Sequence, residues 1–468
     1  MQVTGTILLF IPLAILVTLG RPVHILTALL IGSIFTTGSP INIGSNGIKL
    51  FFAVACVFIL RFIFTLARQR FHVVPGYWHI SLPFILFMAL GLISAFIYPV
   101  IFQGQVFVLG PRAGIWNNGA EVLTFSATNI NQASYLVFNT VLQLALTLYL
   151  ANFAKVADLR IALVISVLTA LFFMILPYFP GGTSALELLA WTDIASGGGL
   201  ATLDDGTLRI NGPFTETSVM ASWMAPCFAM LFCTLMIERR LRLVVPVACS
   251  ALLLLFSTSS SALVGLVACF VFSALVTFPY AGISPLRLIK ALSPLLLLLS
   301  PILVLASTYV YQILEVAVFS KGTSGSYFAR LYGDFISVQA LVSTHYIGVG
   351  LGSHRGSSGL LTILACTGVA GFFLFCWSYV RLFREFLRGR SVVKQLAGAG
   401  VSERVLALVP AAFTGLFTLM AIFATSVPDI ANPIFPLLTS ICMWQGLSVY
   451  RARVKKAVKL INRAPSPA

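Results

Sequence analysis

SLPFILFMALGLISAFIYPVIF, residues 81–102, runs for 22 residues without a charged side chain. A hydrocarbon layer about 30 Å thick takes roughly 20 apolar residues of helix to cross. Barrel strands would show segments of about ten residues with alternating polarity, whereas this run is continuous. Similar stretches recur along the chain near 5–20, 23–39, 48–67, 133–153, 160–180, 217–237, 242–257, 261–280, 291–312, 358–380, 405–427 and 433–450. Apolar residues make up 59% of the 468 and charged residues 9%, and the mean hydropathy is +1.00. A soluble domain carries roughly 25% charged residues. The expected fold is therefore all-α: one polytopic membrane domain over residues 1–468 with 12–13 transmembrane helices.

The sparse charges orient it. Assigning alternate gaps to the cytoplasm leaves six cations on the other side, Lys49, Arg112, Arg209, Lys321, Arg330 and Arg355, and puts the other 23 of the 29 Lys and Arg inside. Lys and Arg are enriched in short cytoplasmic loops. The C terminus, with its basic tail 451–468, is expected inside. The N terminus falls outside if thirteen spans form and inside if the first two do not both cross. Five of the six minority cations sit in three long outer gaps, 103–132, 181–216 and 313–357. Insertion rules disfavour them there, and binding an anion is a reason to keep them.

Several function classes drop out. The net charge of +16 suggests nucleic acid, but the basic residues cluster at membrane edges, as anchoring and anionic lipid require. All eight cysteines lie within apolar runs, which supports neither a disulfide framework nor a zinc site. The spans carry almost no ionisable residue, unlike ion-coupled transporters. No Gly-x-Ser-x-Gly elbow marks a serine hydrolase. The first apolar run lacks a preceding basic region and an exit of small residues, so it is not read as a cleavable signal.

Chemistry is expected on the outer loops. Arg209-Ile-Asn-Gly-Pro-Phe-Thr-Glu216-Thr-Ser218 leads into an apolar helix. With Thr215 or Thr217 as cap, Glu216 falls in its first turn, either as a dipole-favoured acid or as a base for a sugar hydroxyl. The third gap predicts a short amphipathic helix over 326–334, on which Arg330 and Asp334 are spaced to pair with each other. Gly348-Val-Gly-Leu-Gly-Ser-His354-Arg355 follows. Its glycines let backbone N–H groups converge on an anion, with His354 and Arg355 as added donors. Arg112, Asp334, His345 and Ser357 are further candidates for substrate contact. The run Ser257–Ser261 reads as helix capping.

Arg209-x-x-Gly-x-Phe-x-Glu216, the serine-rich turn and Gly348–Ser353 followed by Gly368-Val-Ala-Gly371 together resemble the O-antigen polymerase and ligase superfamily (Wzy and WaaL), most closely its exopolysaccharide polymerases. The resemblance implies a GT-C-like glycosyltransferase in the bacterial inner membrane, acting at the periplasmic face without metal or cofactor. Its substrate would be an undecaprenyl-diphosphate-linked oligosaccharide, transferred to the hydroxyl of another lipid-linked repeat. A flippase and a chain-length regulator would be partners, beside membrane lipids. Arg209 and Arg330 match the family's arginines, and with Arg355 they would hold the diphosphate. Glu216 and His354 would carry the catalysis. Where many members, ligases above all, place a His-Asn pair, this chain has Ser357, which favours polymerase over ligase. A lipid-linked oligosaccharide flippase or other transporter is the reading from a different class.

Overall fold

Gly20-Arg21-Pro22 divides the first apolar stretch into α1 (Ile7–Leu19) and α2 (Pro22–Gly32), since proline is well suited to the first turn of a helix. The computed structural model describes residues 1–44, 46–68, 72–110, 119–192, 211–257, 259–278, 325–398, 403–426 and 431–461, with Ser293, Leu297 and Ser300 as isolated points. At 13 and 11 residues, α1 and α2 each fall short of a full crossing and form a hairpin. Strand β1 (Gln2–Val3) pairs antiparallel with β2 (Ile41–Ile43), and β2 with β3 (Asn46–Ile48). Asn42 donates to the Thr192 carbonyl at 2.9 Å. The start of the chain therefore lies at the same end of the bundle as the 181–192 segment.

The remaining helices are α3 (Leu50–Arg68), α4 (Tyr77–Ile101), α5 (Ala127–Phe153), α6 (Val156–Ile175), the short α7 (Gly182–Leu189), α8 (Thr217–Glu238), α9 (Val244–Phe256), α10 (Ser260–Phe272), α11 (Gly325–Ser343), α12 (Gly359–Gly398), α13 (Glu403–Thr425) and α14 (Ile434–Ile461). Local chemistry sets several starts. The Ser126 N–H donates to the Asn129 side chain at 2.9 Å to close α5, and the Lys155 N–H donates to Asp158 at 2.7 Å to close α6. Seven of the described helices are long and apolar enough to cross a membrane: those over Leu50–Arg68, Tyr77–Ile101, Ala127–Phe153, Val156–Tyr178, Thr217–Glu238, Ser260–Thr277 and Gly359–Arg388. The protein is thus a multi-pass α-helical membrane protein. The other expected spans of the 12–13 do not meet that measure: α1, α2, α9 and the 409–425 part of α13 are shorter, α14 is not among the seven, and the 291–312 stretch lies outside the described residues.

Helix α8 is the centre. In its most apolar 18-residue window 94% of residues are buried, under α13, α10, α9 and α6. A helix apolar all round belongs in a core, and Trp223, Phe228 and Phe232 on it are fully enclosed. Two polar groups on or beside it bond across elements: Trp223 donates to Ser33 at 2.7 Å and Asn432 to Ser222 at 2.9 Å. A second, smaller core lies at one end of the bundle. There Phe102, Val106, Val108, Leu123, Ala340 and Val349 pack together, joining the hairpin of β4 (Phe107–Val108) and β5 (Glu121–Val122) to α11.

Charge pairing among the described residues is confined to one end. Glu238 bonds Arg160 at 2.8 Å and Arg240 at 2.7 Å; Glu385 bonds Arg388 at 2.8 Å and faces His79 at 3.8 Å. Among the described residues every ion pair lies at the end expected to be cytoplasmic.

Candidate functional site

Helix α12 breaks at Gly368, whose φ of 68° and ψ of −173° are not helical. A break frees carbonyls and amides that hydrocarbon cannot satisfy, and here the glycine run supplies the partners. The Val349 and Gly350 N–H groups donate to the Ala365 and Cys366 carbonyls, both at 2.9 Å, and the Val369 N–H donates to the Tyr346 carbonyl at 3.1 Å. Residues 344–357 thus form a strap laid against the broken helix. The Gly348 N–H is taken by Thr344 at 3.0 Å. Of the run expected to cradle an anion, the Gly348, Val349 and Gly350 amides are thus spent on protein.

The strap is tied on every side. Asn129 donates to the Leu351 carbonyl at 2.9 Å and to Ser353 at 2.7 Å, and Thr128 donates to the Gly352 carbonyl at 2.8 Å. His354 is buried. Its Nδ1 accepts the Leu109 N–H at 3.1 Å, which leaves the proton on Nε2, 2.8 Å from the Ser337 hydroxyl. The ring clamps β4, α11 and the strap together. Both nitrogens are engaged, so it does not project donors toward an anion beside Arg355 as the sequence suggested.

Burial holds the His354 imidazolium down, at a pKa of about 4. An unfolded histidine titrates near 6.5, so between those values the unfolded chain binds the extra proton and the native state does not. The stability His354 contributes is present above about pH 6.5 and lost as pH falls towards 4, a change of about 3 kcal/mol. Thermal unfolding in detergent at pH 7, 5.5 and 4.5 should show the wild type losing more stability on acidification than His354→Gln, which starts lower. Parallel pH profiles for the two chains would refute the clamp.

The charged residues sit around this clamp. Asp334 on α11 accepts a hydrogen bond from Ser357, which is buried. Arg330 is one turn earlier, half-buried, and among the described residues it forms no ion pair with Asp334. The expected i, i+4 pair is therefore replaced by the serine contact. Arg355 has an exposed side chain, while its N–H bonds the Leu109 carbonyl at 3.0 Å. His345 is exposed and, with Tyr346, takes positive φ where α11 ends. Glu216 is itself the extended N-cap of α8, not a first-turn residue, and its exposed carboxylate accepts from Ser218 at 3.1 Å. Arg112 and Arg209 lie outside the described residues. What is brought together is Arg330, Asp334, Ser337, His354, Arg355 and Ser357; Glu216 stands on a different helix, whose next turn joins Asn432 through Ser222.

Sequence reasoning missed Ser337, Asn129 and the break itself, since Gly368 lies inside an otherwise ordinary apolar run. It also missed a pocket between α4, α5, α12, α13 and α14. Phe84, Phe87, Phe375, Phe423 and Phe435 wall it, with Asn139, Thr140, Gln143, Ser378 and Tyr379 as its polar groups. No charged residue lines it.

Fold and site define a class: a multi-pass α-helical membrane protein with a strapped, broken helix and a charged cluster beside it. Compared with known proteins, the chain matches no family model and no curated protein significantly.

Proposed function

We propose that the chain is an inner-membrane polysaccharide polymerase of the O-antigen polymerase and ligase type, with its site facing the periplasm. It would transfer an undecaprenyl-diphosphate-linked glycan to the hydroxyl of another lipid-linked repeat unit. One observation carries this reading. Arg330 and Arg355 have no carboxylate partner among the described residues, while Glu238 and Glu385 at the other end are each paired with arginine. Guanidinium grips phosphate oxygens bidentately, and neutralising a departing diphosphate is the electrostatic task such a transfer sets. Arg209 and Arg112 would join them. The pocket between α4, α5, α12, α13 and α14 is lined by no charged residue and so offers an anionic lipid headgroup no ion-pairing partner.

In this reading Glu216 takes the proton of the acceptor hydroxyl as the diphosphate leaves. Direct displacement inverts the anomeric centre and needs one base. Glu216 is exposed and bonded only to a serine hydroxyl among the described residues, whereas the Asp334 carboxylate is held by Ser357. His354 is left a positioning role. Glu216→Gln should abolish polymer formation from purified lipid-linked repeat while leaving protein level and donor binding intact, since general-base loss costs about 10²–10⁴-fold. Wild-type polymer from Glu216→Gln, with Asp334→Asn inactive, would move the base to Asp334.

A further inference from the structure

Helix α11 has two apolar faces, and only one is covered by protein. Ile336, Ser337, Ala340 and Leu341 are buried against α12 and β4. Phe328, Leu331, Phe335, Val338 and Val342 recur at steps of three and four residues, and each is 51–62% exposed. At that spacing they form one stripe roughly 100° wide. By the same periodicity Asp334 borders the stripe on one side, with Arg330 one step further round towards the covered face, and Tyr332, Gln339 and Ser343 border it on the other. We infer that α11 is not part of a water-exposed loop but an interfacial helix, lying in the membrane surface with this stripe in the acyl chains.

Two observations identify lipid as the occupant. First, α12, against which α11 packs, and α4 expose apolar side chains of their own: Phe96, Ile97 and Val100 on α4, and Val369 and Phe373 on α12, are each 45–63% exposed. Both helices are long and apolar enough to cross a membrane, so their exposed side chains face hydrocarbon. Secondly, Tyr327, Tyr332 and Tyr346 lie around the stripe and are 40–57% exposed, the residue type enriched where hydrocarbon meets water. A helix with a narrow apolar sector between polar flanks sits about 5–10 Å into the headgroup boundary. Its flanking Arg330 and Asp334 are then held at the level of lipid phosphates. This placement stands whether or not the chain is a polymerase.

The test is nitroxide accessibility in the full chain reconstituted in phosphatidylethanolamine–phosphatidylglycerol vesicles. Cys56, Cys249 and Cys376, the cysteines that are not buried, are replaced by alanine, and single cysteines are placed at 328, 331, 335, 338, 342, 332 and 339. Labels on the stripe should collide preferentially with oxygen. Labels at 332 and 339 should favour the water-soluble nickel chelate, so the preference reverses sign with helical period. Chelate preference along the whole helix would overturn the inference. So would spin–spin broadening between copies at 331 and 335, which would make a second chain the occupant.

Discussion

Replacing Gly368 by valine is expected to leave little correctly folded protein. A Cβ at this position would lie 2.1 Å from the Ile347 carbonyl oxygen and 2.5 Å from that of Tyr346. These are backbone atoms pinned by the strap, so neither can swing aside. The φ of 68° with extended ψ is itself a region essentially reserved for glycine. Collision and strain together should cost on the order of 4 kcal/mol or more, most of what a marginally stable protein has. Gly446→Ala is the matched control: the nearest atoms to its Cβ are side-chain carbons at 3.4 and 3.6 Å, and it removes a flexible residue from a helix interior. Monodisperse yield and thermal midpoint in detergent should collapse for Gly368→Val and hold for Gly446→Ala. Comparable midpoints would mean that the strap does not depend on the break.

Arg330→Lys and Arg355→Lys should each cut polymer synthesis about 100-fold, nearly as much as the alanine variants, because an ammonium cannot reproduce a two-point grip on phosphate. Since Arg330 makes no ion pair with Asp334, folding stability should stay within about 0.5 kcal/mol of wild type. Loss of activity without loss of stability is the signature of a substrate contact. Full-length polymer at wild-type rate from both lysine variants would remove the diphosphate from this site.

Much of the helical framework was legible because its signal is one-dimensional. Each stretch from Leu50, Tyr77, Ala127, Val156 and Thr217 announces itself through uninterrupted apolar residues, and proline or a capping residue marks several starts. The site was legible only as composition. Arg330, Asp334, His354 and Arg355 stood out as ionisable residues in a chain with few. Their partners did not, because Leu109 and His354 are 245 residues apart, and no local pattern encodes a contact of that separation. Asp334 shows the limit: periodicity offered Arg330 as its partner, while tertiary packing supplied Ser357. The glycines at 348–352 were read by their conformational freedom, which is the same whether a backbone closes on an anion or on a broken helix.

The length of chain between the strap and its anchors has a consequence for biogenesis. Asn129 waits 222 residues for its Leu351 partner; at about 5–20 residues per second of synthesis, that is roughly 10–45 seconds. During that interval α4 and α5 are already made, with the Asn129 amide lacking its native acceptor. Asn129 stands in the first turn of α5, so until the strap arrives water at that end must serve as the amide's partner. Quality control therefore has a physical handle: a chain stalled before Gly348 exposes that amide, and one that has closed the strap does not.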